Sequence, residues 1–511
     1  MSSNTGGVSA FPSRVLILGL GETGVAAALW CLRQGASLHI ADTREAPPGL
    51  SALQTAAAEG EVTHFLGSAA LTDEALEGVQ ALVLSPGLVP HEPALAAFLE
   101  KAKERQIAII GEIELFAQAL TKLAQDKDYH PQVLAVTGTN GKTTVTSLTQ
   151  AMLQTAGKTA IAAGNISPSA LTALMQALDA DALPEVWVLE LSSFQMHTTR
   201  SLEPDASVVL NLTQDHLDWH RDMQEYGAAK ASLLAASKIA IVNRSDAAVL
   251  QMVEDVKDTE VRSFGSDEPV LVGDVGMESA HGVLWITASE HDDFELPEAP
   301  GTRRKKNAEK PRRMTGLIKR LMPGDAMKIR GLHNMMNAQA AMLLCREVGI
   351  GWGPMLNTLR EFAPGQYRTQ FERSIRGVDF FNDSKGTNVG ATVAALDGMG
   401  RNIVLIAGGV GKGQDFSPLA APVRRTARAV VLIGEAADVI EQALADTGVT
   451  CHRADSMQAA VAQALELAQE GDAVLMSPAC SSFDMFKSYA HRGEVFSSAV
   501  HELALDNGEV A

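Results

Sequence analysis

The segment Val136-Thr137-Gly138-Thr139-Asn140-Gly141-Lys142-Thr143-Thr144 has the residue types and spacing to grip a polyphosphate. Its glycines let the backbone curl until several N–H groups face one anion. A helix beginning at Lys142 or Thr143 adds its positive N-terminal end. Gly138, Thr139, Asn140, Gly141 and Thr144 would form the cradle. Lys142 would meet the outer phosphates, and Thr143 would bind the Mg²⁺ that bridges them. The full phosphate-loop pattern asks for glycine at 136, where Val136 stands, so this is a shortened variant. The competing reading is an ordinary glycine-rich turn. Against it, an apolar strand, a Gly-Lys-Thr step and a following helix coincide.

A second glycine group, Gly19-Leu20-Gly21-Glu22-Thr23-Gly24, follows another apolar run, and Asp42 closes the next. Such a loop recognises a pyrophosphate. It could serve NAD(P) in an oxidoreductase, a nucleotide-sugar diphosphate, or only tight packing of helix on strand, and the motif alone leaves these readings balanced. Glu190-Leu-Ser-Ser-Phe-Gln195 ends a strand, and a carboxylate there suits a Mg²⁺ ligand. Asn211-Leu-Thr-Gln-Asp-His216-Leu-Asp218 sits in an Asn/Asp-rich loop after a strand, which makes His216 a functional candidate. Lys230, in isolation, reads as a surface lysine. Asn382-Asp383-Ser384-Lys385-Gly386-Thr387-Asn388, Gly408-Gly-Val-Gly411-Lys412-Gly413 and Ser477-Pro-Ala-Cys-Ser481-Ser482-Phe483-Asp484 each follow a strand. Three polar loops at the carboxyl ends of strands point to a ligand crevice.

The elements that must carry these loops alternate in a βαβ rhythm. Short apolar runs predict buried strands at Val15–Leu18, Leu38–Ile40, Ala81–Leu84 and Ile107–Ile110. They recur at Val133–Val136, Val186–Leu189, Ser207–Leu210 and Ile239–Val242, and again at Asp379–Phe381, Ile403–Ile406, Ala429–Ile433 and Ala473–Met476. This predicts an α/β protein with parallel sheets. The expected division is three successive domains. Residues 1–128 form a Rossmann-like one, 129–362 a central P-loop ATPase-like one with a parallel or mixed sheet, and 363–511 a C-terminal Rossmann-like one. A segment over about residues 289–320 contains Arg303-Arg304-Lys305-Lys306 and Lys310-Pro311-Arg312-Arg313, and reads as a solvated surface insertion.

Composition sets the outer limits. The 511 residues are 46% hydrophobic and 20% charged, an ordinary globular balance. A net charge of -19 argues against a general nucleic-acid or membrane-surface binder, though local groups can still hold an anion. Cys31, Cys345, Cys451 and Cys480 are scattered and suggest neither a disulfide framework nor a zinc site. Residues 1–13 lack the charged start and apolar stretch of a signal peptide, and no run reaches membrane-spanning length. A cytoplasmic monomer is expected.

Taken together these strings resemble the Mur ligase family, ATP-dependent amino-acid ligases of cell-wall precursors. The resemblance rests on the 137–144 loop, Glu190–Gln195, Gly331-Leu-His-Asn-Met-Met-Asn-Ala, Asn382–Asn388 and Ser477–Asp484, in order along nearly the whole chain. It implies UDP-N-acetylmuramoyl-L-alanine and D-glutamate as substrates, since two strings match the D-glutamate-adding member. It places the UDP moiety on Gly19, Gly21, Thr23, Asp42, Thr43 and Arg44, with Asn165 and Ser192 on the same substrate, and so sets NAD aside. It gives Asn337, Arg368, Asp383 and Lys385 to the nucleotide, and Thr387, Lys412, Ser482 and Phe483 to D-glutamate. Glu190, His216 and Lys230 match metal-binding positions beside Thr143, for two Mg²⁺ ions by family precedent, with Lys230 carried as a carbamate (N6-carboxylysine). Lys142, His216 and Lys230 are the expected catalytic group. The departures are a polar extension before Val15, Gly386 where alanine is common, and a long basic stretch.

The implied chemistry passes a phosphoryl group from ATP to the L-alanyl carboxylate, and the D-glutamate amine then displaces phosphate. His216 is a candidate for the base that frees the amine. The rival expectations are another ligase of the family or a folate polyglutamate ligase, an NAD-dependent oxidoreductase, and a non-catalytic nucleotide-binding scaffold.

Overall fold

The computed structural model describes residues 11–56, 61–254, 256, 259–291, 313–329, 331–363 and 365–509. The expected basic runs at 303–306 and 310–312 lie outside them, as do residues 1–10 of the polar extension.

The first sheet holds β1 (Arg14–Leu18), β2 (Ser37–Asp42), β3 (Val62–Leu66), β4 (Ala81–Leu84) and β5 (Ala108–Ile110), in the order β3-β2-β1-β4-β5. All its pairs are parallel, with Ile17 opposite Ile40 on one side and Val83 on the other. Strands buried on both faces need continuous apolar runs, which is why Val15–Leu18 and Ala81–Leu84 were legible. The order reverses between β1 and β4, the place where an open α/β sheet opens a crevice at its carboxyl edge.

The second sheet comprises β6 (Gln132–Thr137), β7 (Ala160–Gly164), β8 (Val186–Glu190), β9 (Ala206–Val209), β10 (Ile239–Asn243) and β11 (Glu260–Phe264), in the order β11-β10-β9-β6-β8-β7. An antiparallel ribbon follows: β12 (Val275–Ala280), β13 (Val283–Glu290) and β14 (Leu317–Pro323). The last sheet is mixed. It contains β15 (Gln370–Ile375), β16 (Val378–Asn382), β17 (Ile403–Gly408), β18 (Ala427–Ile433), β19 (Thr450–Arg453) and β20 (Ala473–Met476), in the order β15-β16-β20-β17-β18-β19. Only the β15–β16 pair is antiparallel.

The ribbon corrects part of the expected insertion. Residues 289–290 end β13 and 317–320 begin β14, where Lys319 pairs with Glu290 and Arg320 with Glu278. Arg313 is anchored on Asp274 at 2.6 Å. The described end of the stretch reads as solvated because Lys319 and Arg320 are exposed and their acidic partners lie far away in sequence.

By compactness the chain forms two units: Met1–Thr137, Gly157–Ser207 and Ala229–Ile239, and Gly138–Ala156, Val208–Ala228 and Ala240–Ala511. In the first, one apolar cluster joins Ala27 and Trp30, Ile113 and Phe116, and Leu171 and Leu174. In the second, the last sheet is packed on both faces, by Phe380, Val474 and Phe496 on one and by Leu405, Leu432 and Leu475 on the other.

Candidate functional site

In the second unit the glycine loop runs into the helix Lys142–Thr155. Gly141, its N-cap, has φ +88°, and a Cβ there would stand 2.5 Å from Asn337 Oδ1. Only glycine fits that backbone and that approach. Its N-cap Gly141 supplies no side-chain cap and no acid occupies its first turn, so its N-terminal field favours an anion. Asn140 braces the loop: its N–H donates to Asn211 Oδ1 at 2.8 Å, and its amide exchanges hydrogen bonds with that of Asn388. Thr139 Oγ1 donates to Thr213 O and lies 3.1 Å from the Tyr226 hydroxyl.

A cavity of about 310 Å³ opens beside this loop. Asn140, Gly141 and Thr144 line it from the loop, and Asn337, Arg368, Asp383 and Lys385 from elsewhere in the unit. Seven of the residues expected around the nucleotide therefore share one wall. Gly138, Thr139, Lys142 and Thr143 are not part of that wall; Lys142 Nζ donates to the loop's own carbonyls, Gly138 O at 2.9 Å and Thr139 O at 2.8 Å. Asp383 accepts from Thr369 N–H at 3.0 Å and from Ser477 Oγ at 2.7 Å. Burial pushes its carboxyl up to about 6. Lys385 Nζ lies 3.7 Å over the Tyr489 ring.

The three polar loops of the last sheet meet, as the adjacency of β16, β20 and β17 requires. Val410 and Ser481 exchange backbone hydrogen bonds, and Gln414 accepts from Val389 N–H while donating to Ala479 O. This brings the segments carrying Thr387, Lys412 and Ser482 together. Ser482 is buried and Phe483 is 72% exposed. Arg492, fully buried, donates to Ser384 Oγ, Ser384 O and Cys480 O, and so ties two of the loops. His216 has φ +56°, and its Nε2 is 3.6 Å from Asp215 Oδ2, which also receives Asn388 Nδ2.

In the first unit a cavity of about 470 Å³ lies at the carboxyl ends of β1, β2 and β4, lined by Gly19, Gly21, Thr23, Asp42, Thr43 and Arg44 among others. A Cβ on Gly24 would stand 2.0 Å from Gly19 O, so the helix closes on the loop only with glycine there. Asp42 accepts from Leu20 N–H and, at both oxygens, from Arg44. Burial works against its charge, but these bonds outweigh burial and hold the carboxyl below the usual range. Asp42 thus braces the loop, and Arg44 offers the cavity a cation suited to phosphate.

The same unit pairs Asn165 with Glu190: Asn165 N–H donates to Glu190 O at 2.8 Å, and its side chain to Glu190 Oε1 at 3.1 Å. Glu190 is buried, and among the described residues its Oε2 has no hydrogen-bond partner. A buried carboxylate oxygen so placed fits a cation. Ser192 spends its hydroxyl in a capping box with Gln195. Lys230 is 1% exposed, with Nζ 3.5 Å from Thr137 Oγ1, which corrects its reading as a surface lysine. Sequence reasoning did not single out Tyr226, Arg492 or the bracing by Asn388; only an asparagine preceding a helix hinted at the last.

Three family models match in order: "Mur ligase MurD-like, N-terminal domain" over residues 13–111, "Mur ligase middle domain" over 136–345, and "Mur ligase, glutamate ligase domain" over 367–480. The UDP-N-acetylmuramoylalanine--D-glutamate ligase of Bordetella bronchiseptica is 60% identical over 498 residues, 97% of this chain and 98% of the relative. That of Ralstonia nicotianae is 51% identical over 494 residues, 97% and 98%. Among solved structures, MurF from Acinetobacter baumannii aligns with TM-score 0.55 at 15% identity, covering 96% of this chain and 93% of its own. The UDP-N-acetylmuramate-alanine ligase MurC of Thermotoga maritima gives 0.54 at 16%, covering 96% and 100%. These two establish the shared three-domain α/β fold.

Proposed function

This chain belongs to the Mur ligase family, and we propose on that premise that it joins D-glutamate to UDP-N-acetylmuramoyl-L-alanine, driven by ATP, in peptidoglycan precursor synthesis. The observation that carries the reading is the pairing of full-length identity to D-glutamate ligases with a nucleotide cavity built from the expected residues. The oxidoreductase reading ends here, and so does the idle scaffold.

ATP enters the cavity beside Gly141, with its phosphates toward the N-terminus of the helix Lys142–Thr155. Lys142 then exchanges the carbonyls of Gly138 and Thr139 for phosphate oxygens. The L-alanyl carboxylate attacks the γ-phosphorus, ADP leaves, and an acyl phosphate results. The D-glutamate amine, having lost its proton, attacks the acyl carbon, and phosphate departs with its electron pair. Lys412 and Ser482, on loops held together, receive the D-glutamate carboxylates, with Thr387 and Phe483 beside them. Gly19, Gly21, Thr23, Thr43 and Arg44 take the uridine diphosphate, and Asn165 is assigned to the same UDP-linked substrate.

Glu190 and Lys230, the latter as its carbamate, in the first unit, and Thr143 and His216 in the second, are the residues we assign to Mg²⁺. Mg²⁺ supplies neutralisation of the phosphate charge. The orphaned Glu190 oxygen supports this assignment. We place the reaction in the cytoplasm, where ATP and UDP-linked precursors occur, and assign it to a monomer. Among the described residues no helix is long and apolar enough to cross a membrane.

The test is phosphate release with ATP, UDP-N-acetylmuramoyl-L-alanine and a panel of amino acids. Release confined to D-glutamate is expected. Release with L-alanine or a diamino acid in its place overturns the assignment.

A further inference from the structure

The helix Glu112–Lys127 carries two carboxylates that the reaction does not use. Glu112 and Glu114 are 4% exposed each, in a first turn where surface acids would suffice for the helix dipole. Burying a carboxylate is costly unless its position is needed.

Glu112 Oε1 accepts the N–H of Leu171 at 2.5 Å. Leu171 lies in the first turn of the helix Ala170–Asp179, whose N-cap Ser169 makes no side-chain cap of its own. Glu112 therefore caps a helix from outside it. That helix ends the loop from Gly164 to Ser169, closed by Gly164 N–H on Pro168 O, and the loop presents Asn165 to Glu190. Glu114 holds a turn instead: its Oε2 accepts from Arg200 N–H and Ser201 N–H, and its Oε1 from Ser201 Oγ. That turn follows the short helix Ser193–His197, which starts beyond Glu190. Gly111, just before the pair, lies so close to Thr198 that a Cβ would stand 2.3 Å from its Oγ1.

The same junction packs against the helix that leaves the diphosphate cradle. Glu22 opens the helix Glu22–Arg33 from the Gly19–Gly24 loop, and its charge acts on Glu112. The three helices share one apolar cluster. Burial, with Glu22 adding to it, raises the Glu112 carboxyl to about 7. Among the described residues Glu112 Oε2 has no hydrogen-bond partner.

We propose that Glu112, supported by Glu114, is a positioning residue for the UDP-linked substrate: by capping Leu171 it sets the Asn165 loop in register with the Gly19–Thr23 cradle. The inference rests on the reading of Asn165 as a substrate contact. It assigns Glu112 no chemistry of its own.

The experiment compares Glu112→Ala, Glu112→Gln, Glu112→Asp and Asn165→Ala, with separate KM values for the UDP-linked substrate, ATP and D-glutamate, and with kcat. Glu112→Ala should raise KM for the UDP-linked substrate about tenfold, the effect of one such hydrogen bond, and leave KM for ATP and D-glutamate within about twofold. Glu112→Gln keeps an acceptor for Leu171 and should restore the value. Glu112→Asp keeps the charge but withdraws the oxygen, and should behave as the alanine variant does, which carries the test if alanine prevents folding. The double variant Glu112→Ala/Asn165→Ala should be no worse than Asn165→Ala alone, because both act on one contact. Additive losses, or an unchanged KM in Glu112→Ala and Glu112→Asp while Asn165→Ala raises it, overturn the proposal. An unchanged KM in Asn165→Ala overturns instead the reading of Asn165 on which it rests, and the proposal with it.

Discussion

Lys230 lies buried beside Thr137 Oγ1, in a place where an ammonium gives up much of its hydration. Adding CO₂ to its neutral amine forms an N–C bond, releases a proton and leaves a carbamate anion, a suitable ligand for a hard cation. Glu190 has a buried oxygen with no hydrogen-bond partner among the described residues, and the proposed reading gives it the same ion. Lys230→Ala should therefore lose most turnover, and a short carboxylic acid should restore part of it by supplying the missing carboxylate. The check is phosphate release titrated with the acid. No recovery at any concentration would contradict the carbamate. This residue also marks the limit of what spacing reveals. Lys230 stands in the Ala-rich helix Met223–Ala236, where nothing in the residue types separates a buried lysine from a solvated one. Lys142 was legible because its neighbours must be glycine and threonine for the loop to exist. Arg492 was not, since its acceptors are a serine hydroxyl and two carbonyls brought in from residues 384 and 480, which no local pattern encodes.

The docking of the helix Glu112–Lys127 has a pH signature. The Glu112 carboxyl titrates at about 7 in the fold, against an ordinary value of 4.5, chiefly through burial. Between those values the unfolded chain has released a proton that the folded chain keeps, so stability falls as pH rises through the window. Glu112→Gln does not titrate. Its stability relative to the parent should rise across the window by on the order of 3 kcal/mol and level off above it. Denaturant melts on either side of the window measure this, and a pH-independent difference would contradict it. The elements themselves were read unevenly. Central parallel strands such as β1, β8, β17 and β20 announced themselves, being apolar on both faces. The strand β7, Ala160-Ile-Ala-Ala-Gly164, is too poor in β-branched residues to stand out, and β3 is an edge strand with two exposed positions. The ribbon β12–β14 was missed because its cross-strand ion pairs join residues 29 and 42 apart, beyond any local window.

At the scale of the whole chain, a molecule of net charge -19 must take up anionic substrates against its own field. It can do so only through local cations and backbone donors, and these occur in two separate cavities. The one at the ends of β1, β2 and β4 carries Arg44, and the one beside Gly141 carries Arg368 and Lys385. The two have no lining residue in common. Binding of the UDP-linked substrate and transfer of phosphoryl from ATP are therefore separable by mutation. Lys142→Ala removes the charge that the proposed reading gives to the triphosphate, and Lys142 is not a lining residue of the first cavity. It should lower kcat by about three orders of magnitude or more, as loss of a charge on a transferring phosphoryl group does, because no other group in the loop can follow the charge as it moves. The Kd of the UDP-linked substrate, measured by calorimetry without ATP, should stay within about twofold of the parent, since a uniform binding contact has not been altered. A Kd that rose in step with the fall in kcat would mean that Lys142 serves the acid substrate directly, and the division of labour between the two cavities would have to be redrawn.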